Sequence, residues 1–163
     1  VIGFWIAAAV ALVATLLAVT RRHPVHALLY LVVSLLAVAV LFLLLGAAFA
    51  AALEVVIYAG AIMVLFLFVV MLLDLGPEAA ESTRGRATPT AWLGPGLLVA
   101  ILAAELAWIV RSGSSAEGAT AVDPAAVGEL LFGPWILGVE LAGMLLLAGL
   151  IGAFHLGRRE EAE

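Results

Sequence analysis

Three acids stand inside otherwise uncharged apolar stretches: Glu54, Glu105 and Glu140. A carboxylate at the centre of a bilayer costs about 2.5–3.5 kcal/mol on insertion scales, so such an acid faces a bundle interior, a partner or a wet cavity. Each is therefore a candidate for carrying protons. Glu54 has the richest surroundings. Tyr58 comes four residues on, one helical turn away and on the same face, where a phenol can hydrogen-bond the carboxyl or a water beside it. Gly60 comes next. A glycine there permits either a close helix–helix contact or a deformable point such as a π-bulge, a feature frequent at functional sites. The competing role for Glu54 is to cap an outer helix end. Glu105, six residues before Arg111, reads as an acid that reaches interfacial water. Glu140, just inside Pro134 and Trp135, reads as a packing or interface acid.

Other chemistry is excluded more firmly. There is no Cys, which removes disulfides, thiolate zinc sites, Cys-ligated iron–sulfur clusters and thiol nucleophiles. His23 and His26 flank Pro24 in a turn, and two ligands are too few for a metal. His155 sits at a helix end. Gly94-Pro95-Gly96 opens an apolar helix and lacks the phosphate-loop fingerprint. No triad and no basic face for nucleic acid is present. The chain on its own reads as non-catalytic, with no cofactor or metal of its own.

Composition sets the scaffold on which these residues stand. Of 163 residues, 66% are apolar and 12% charged, against about 45–50% and about 25% in soluble domains. That excludes a soluble globular domain, a disordered chain and a disulfide-stapled module. It indicates an all-α polytopic membrane protein with five transmembrane helices in a single membrane domain, residues 1–163. Helices are expected at about 1–20, 25–45, 50–74, 92–110 and 134–156, with polar loops at 75–91 and 111–133. The first stretch reads as a retained helix, because a signal peptide carries its positive residues before the apolar run and here Arg21 and Arg22 come after it. Gly46-Ala47-Ala48-Phe49 marks a tight turn between the second and third helices. Gly76-Pro77 stops the third. Asp123-Pro124 has the form of an N-cap and an N1 proline, which predicts a short interfacial helix. Trp5, Trp92, Trp108 and Trp135 lie near segment ends, as an aromatic belt places them. No segment alternates strictly, which disfavours a β-barrel.

Orientation comes from the cations. All seven are Arg, and six (Arg21, Arg22, Arg84, Arg86, Arg158, Arg159) fall on one side, with Arg111 opposite. The positive-inside rule then places the N-terminus outside and the C-terminus in the cytoplasm, which agrees with an odd number of spans.

The run Ala52-Leu-Glu-Val-Val-Ile-Tyr-Ala-Gly-Ala-Ile-Met-Val-Leu-Phe-Leu-Phe-Val-Val-Met-Leu73 closely resembles the signature of the J-chain family of respiratory NADH–quinone oxidoreductase, complex I, whose mitochondrial relative is the sixth ND chain. The likeness extends to His23-Pro24-Val25-His26-Ala27-Leu28-Leu29-Tyr30, to Ala48-Phe49, and to Leu131-Phe132, Glu140 and Leu145–Phe154. It covers most of the chain apart from the fourth helix and the two longer loops. It implies a non-redox membrane-arm subunit of a proton-pumping oxidoreductase in the bacterial inner (plasma) membrane. The complex would use NADH and a quinone and carry FMN and iron–sulfur clusters in other subunits. The implied neighbours are chains of the H, A, K and N type and the lipid bilayer, with no nucleic acid and no stand-alone homo-oligomer. The resemblance further implies a π-bulge in the third helix, with Tyr58, Gly60 and Met63 as bulge or gate residues and Glu54 on or beside a hydrated proton path. Glu140 and Glu105 are secondary intramembrane acids. The alternative is a membrane subunit of a multi-subunit cation/proton antiporter of the Mrp type.

Overall fold

An uncharged run of about 20 residues can cross hydrocarbon only if its backbone polar groups are paired within the segment, which a helix achieves. The computed structural model of the chain agrees with this rule. It describes residues 2–21, 23–73, 90–112 and 122–157, and among them the regular structure is helical. The five expected spans are present: five described helical stretches are long and apolar enough to cross a membrane. The Gly76-Pro77 stop, Arg22, Arg84, Arg86, Arg158 and Arg159 lie outside the described residues. The chain divides into two units, Val1–Ala121 and Val122–Glu163, and each is described by itself.

In the first unit, α1 spans Ile2–Thr20 and α2 spans Pro24–Leu44. Their pairing is explained by residue size. Ala7, Val10 and Ala14 form a buried stripe on α1 at helical spacing, and Tyr30, Val33, Ser34, Ala37 and Val40 form one on α2. The alanines let the two backbones approach closely, the usual basis of helix association where lipid is as apolar as the side chains. The turn after α2 is fixed by Gly46, whose φ of 80° is the left-handed conformation that L side chains rarely adopt. Its N–H donates to the Leu43 carbonyl at 3.0 Å, and the next N–H, of Ala47, donates to the Phe42 carbonyl at 2.9 Å. That pair of bonds is the Schellman closure.

The chain reverses there and starts its third span at Ala48. This span has three parts: α3 (Ala48–Leu53), a π-helical segment (Glu54–Ile62) and α4 (Met63–Leu73). The fourth span is α5, Thr90–Ser112, which starts two residues earlier than the sequence spacing suggests and carries Pro95 inside it. Leu102 of α5 joins the core between α1 and α2. Polar groups close the α1–α2 seam. The Thr15 hydroxyl donates to the Ala11 carbonyl at 2.8 Å and lies 2.6 Å from the Ser34 hydroxyl.

In the second unit, α6 spans Pro124–Phe132 and α7 spans Ile136–Gly157. The expected cap is formed: Asp123 Oδ1 accepts the Ala125 N–H at 3.2 Å. The last span starts at Ile136 rather than 134 because Gly133–Trp135 makes a turn. A Cβ at Gly133 would stand 2.6 Å from the Glu129 carbonyl oxygen, so only glycine fits that turn as built.

Candidate functional site: the π-helical third span

The signature run folds into a helix whose ladder changes pitch. α3 ends normally: the Glu54 N–H is shared between the carbonyls of Ala50 and Ala51. From Glu54 to Ile62 the backbone takes the π pattern, in which N–H groups reach back five residues rather than four. The segment is nine residues long, longer than the single-turn bulge in which π geometry usually occurs. Its far end is closed at Met63, whose N–H reaches the carbonyls of Tyr58 and Gly60. No strained dihedral is involved, since every described non-glycine residue has negative φ.

Gly60 is the position where side-chain size bears on this ladder. A Cβ there would lie 3.2 Å from the Val55 carbonyl oxygen, five residues back. That distance is tighter than ordinary van der Waals contact, so any larger residue presses on the carbonyl that the π ladder brings near. The absent side chain matters here as backbone clearance.

Four of the expected site residues are thus grouped on one element. Glu54 opens the π segment, Tyr58 and Gly60 lie within it, and Met63 begins α4. Their burial differs. Met63 is buried, Glu54 and Gly60 are half-buried, and Tyr58 is exposed. A four-residue spacing puts Glu54 and Tyr58 one turn apart only in an α-helix; in a π-helix the turn is wider. Among the described residues no hydrogen bond joins Glu54 to Tyr58.

Beside the segment lies a cleft of about 560 Å³. α2 contributes Leu36 and Val40, the third span Ala51, Val55 and Val56, and α5 Leu102 and further aliphatic residues. All its lining side chains are Ala, Val or Leu, and neither Glu54 nor Glu105 is among them. The acids flank apolar space without opening onto it.

Glu105 departs from its sequence reading. Instead of reaching interfacial water, both carboxyl oxygens are buried, with no hydrogen-bond partner among the described residues. The carboxyl lies against Gly3 near the start of α1. Glu140 sits in α7, on an exposed stretch of the second unit.

One cluster has no counterpart in the sequence reading. At the opposite end of α1, the Arg21 guanidinium packs over the Tyr30 ring at 5.2 Å and reaches its hydroxyl at 3.4 Å. The Tyr30 hydroxyl in turn fills the space a side chain would need at Gly94 of α5. The available signal was an Arg at a helix end, a Tyr nine residues on and a glycine in another helix. Nothing in the sequence links the third to the first two.

The family pattern described as NADH-ubiquinone/plastoquinone oxidoreductase chain 6 matches residues 14–156. Curated relatives agree with it over nearly the whole chain. NADH-quinone oxidoreductase subunit J of Pseudomonas aeruginosa is 54% identical over 160 residues, covering 97% of this chain and 96% of that protein. The subunit J of Escherichia coli K12 is 51% identical over 162 residues, covering 98% and 88%. That of Rhodobacter capsulatus is 35% identical over 173 residues, covering 100% and 84%.

Proposed function

Because the chain belongs to the NADH-ubiquinone/plastoquinone oxidoreductase chain 6 family, which includes bacterial subunit J, we propose that its third span couples quinone reduction to proton translocation by gating a hydrated path. Whatever the mechanism, the chain is a multi-pass membrane subunit of a multi-subunit NADH–quinone oxidoreductase, an enzyme complex acting on NADH and quinone.

The observation that supports gating is the π segment with Gly60 inside it. A π ladder converts to an α ladder when each N–H exchanges the carbonyl five residues back for the one four residues back. Gly60 keeps that exchange open, because no side chain obstructs the Val55 carbonyl in the π form. Met63 is the buried residue that follows the segment. Tyr58 supplies a hydroxyl beside the path, and Glu54 supplies an acid on or next to it. Glu140 and Glu105 are secondary acids. The redox groups, FMN and iron–sulfur clusters, belong to other subunits, and the direct neighbours are chains of the H, A, K and N type. The N-terminus faces outward, on the strength of six arginines on one side and one on the other, and the five spans act as a single membrane domain.

The test begins with purification from native membranes through a C-terminal tag in mild detergent. Partners are identified by mass spectrometry. The expected result is a large assembly with flavin and iron–sulfur subunits that oxidises NADH with quinone. An assembly of membrane subunits alone would overturn the oxidoreductase reading and favour the antiporter. In the assembled complex, Gly60→Leu should leave assembly intact and impair coupled turnover and proton uptake in vesicles. Unchanged pumping in that variant would reduce the third span to a scaffold.

A further inference from the structure

We propose that Glu105 is a proton-binding site outside the third span, formed where α5 packs its carboxyl into a notch at Gly3 of α1. The proposal rests on the membrane-spanning reading of the chain and is independent of gating by the π segment.

The notch is specific. A Cβ built on Gly3 would stand 2.9 Å from Glu105 Oε1, 3.9 Å from the carboxyl carbon and 3.9 Å from Leu44 Cδ1. The carboxyl thus occupies the space that any other residue at position 3 would fill. The three elements meet in a consistent way. Gly3 begins α1, Leu44 ends α2 and Glu105 lies in the last third of α5. Helices that alternate in direction bring these positions to the same membrane face.

Among the described residues nothing charged answers the carboxyl there. α1 has no ionisable side chain, and those of α2, His26 and Tyr30, lie near its opposite end. The π segment carries Glu54 and Tyr58, and α5 itself carries Arg111. None of them pairs with Glu105, and both oxygens are shut off from solvent. An isolated carboxylate taken from water into such a place loses its hydration with nothing in return, so the group neutralises instead. The neutral acid carries only the smaller burden of a buried polar group. The notch therefore holds –COOH. Proton uptake is the simple transfer –COO⁻ + H3O⁺ → –COOH + H2O, with the new O–H bond formed on one carboxyl oxygen. Release requires the carboxyl to leave Gly3 and meet water, so occupancy of the proton site and closure of α1 on α5 are linked.

The experiment is infrared difference spectroscopy on the intact complex in native lipid at neutral pH. Wild type is compared with Glu105→Gln, in H2O and in D2O. The expected result is loss, in the variant, of a protonated-carboxyl C=O band equal to one acid per complex, which shifts in D2O. Loss of carboxylate bands alone would overturn the proposal, because it would mean that Glu105 is ionised where it lies. Gly3→Ala supplies the second reading and serves if Glu105→Gln does not assemble. Its methyl presses on the carboxyl oxygen and must shift it within the notch, so the same acid band should move in frequency. An acid band unchanged by Gly3→Ala would overturn the role of the notch. Neither band depends on turnover, so failure here is distinguishable from failure of the gating mechanism.

Discussion

The α1–α2 pair and the third span are both strongly apolar and are built to different ends. The pair shares a sealed seam of Ala, Val and Ser, with Ala7, Ala14 and Ala37 fully buried and hydroxyls bonded across it. The π segment buries no residue at all, and its ladder departs from α geometry for nine residues. Small residues serve both regions. In the pair they bring two helices together, and at Gly60 the missing side chain spares the segment's own backbone. A helix that is sealed on a neighbour resists a change of pitch, because its side-chain register is fixed from outside. A segment with no fully buried residue carries less of that restraint.

Four substitutions put this contrast to the test. The largest effect on activity is expected from Gly60→Leu. If crowding at the Val55 carbonyl biases the segment by about 1.4 kcal/mol, coupled turnover falls about tenfold, measured as quinone-dependent proton uptake in vesicles. Ala37→Leu should act oppositely, on stability alone. Forcing extra volume into a packed seam costs about 1–3 kcal/mol, read as a lower unfolding temperature of the purified complex with specific activity retained in the fraction that assembles. Ser34→Ala removes the hydroxyl partner of Thr15 and should cost about 0.6 kcal/mol, a typical value for an interhelical hydrogen bond in a membrane, seen in the same thermal assay. Gly96→Ala is the smallest. A Cβ at Gly96 meets no atom within 4 Å, so neither pumping nor stability should fall. A Gly96→Ala loss as large as that of Gly60→Leu would show that glycine in any of these helices matters, and the contrast would collapse.

The spans were legible because charge is excluded from hydrocarbon, and that exclusion is written residue by residue. The cap at Asp123-Pro124 was legible for a similar reason, being contained in adjacent residues. The π segment was only half legible. Gly60 flags a deformable point, but hydropathy is blind to whether an N–H reaches back four residues or five, so the spacing of Glu54 and Tyr58 reads as one α turn. The environment of Glu105 is illegible in the sequence because its surroundings are not local. Six residues separate it from Arg111, whereas the residue that decides its environment, Gly3, is about a hundred positions away. The same holds for Tyr30 and Gly94. A glycine that receives a distant side chain looks in sequence like any other glycine.

The change of pitch has a mechanical consequence for the far half of the span. Two threads of different pitch cut on one rod force the far part to turn when the junction moves. If the ladder between Glu54 and Ile62 lost one residue of its extra winding, everything from Met63 to Leu73 would revolve by about 100°, the angle one residue occupies in an α-helix. Phe66, Phe68 and Met71, now all on exposed positions, would sweep round together like teeth on a cam. A backbone event near Gly60 would thereby be delivered, without bending the helix, as a new set of bulky side chains presented some turns away.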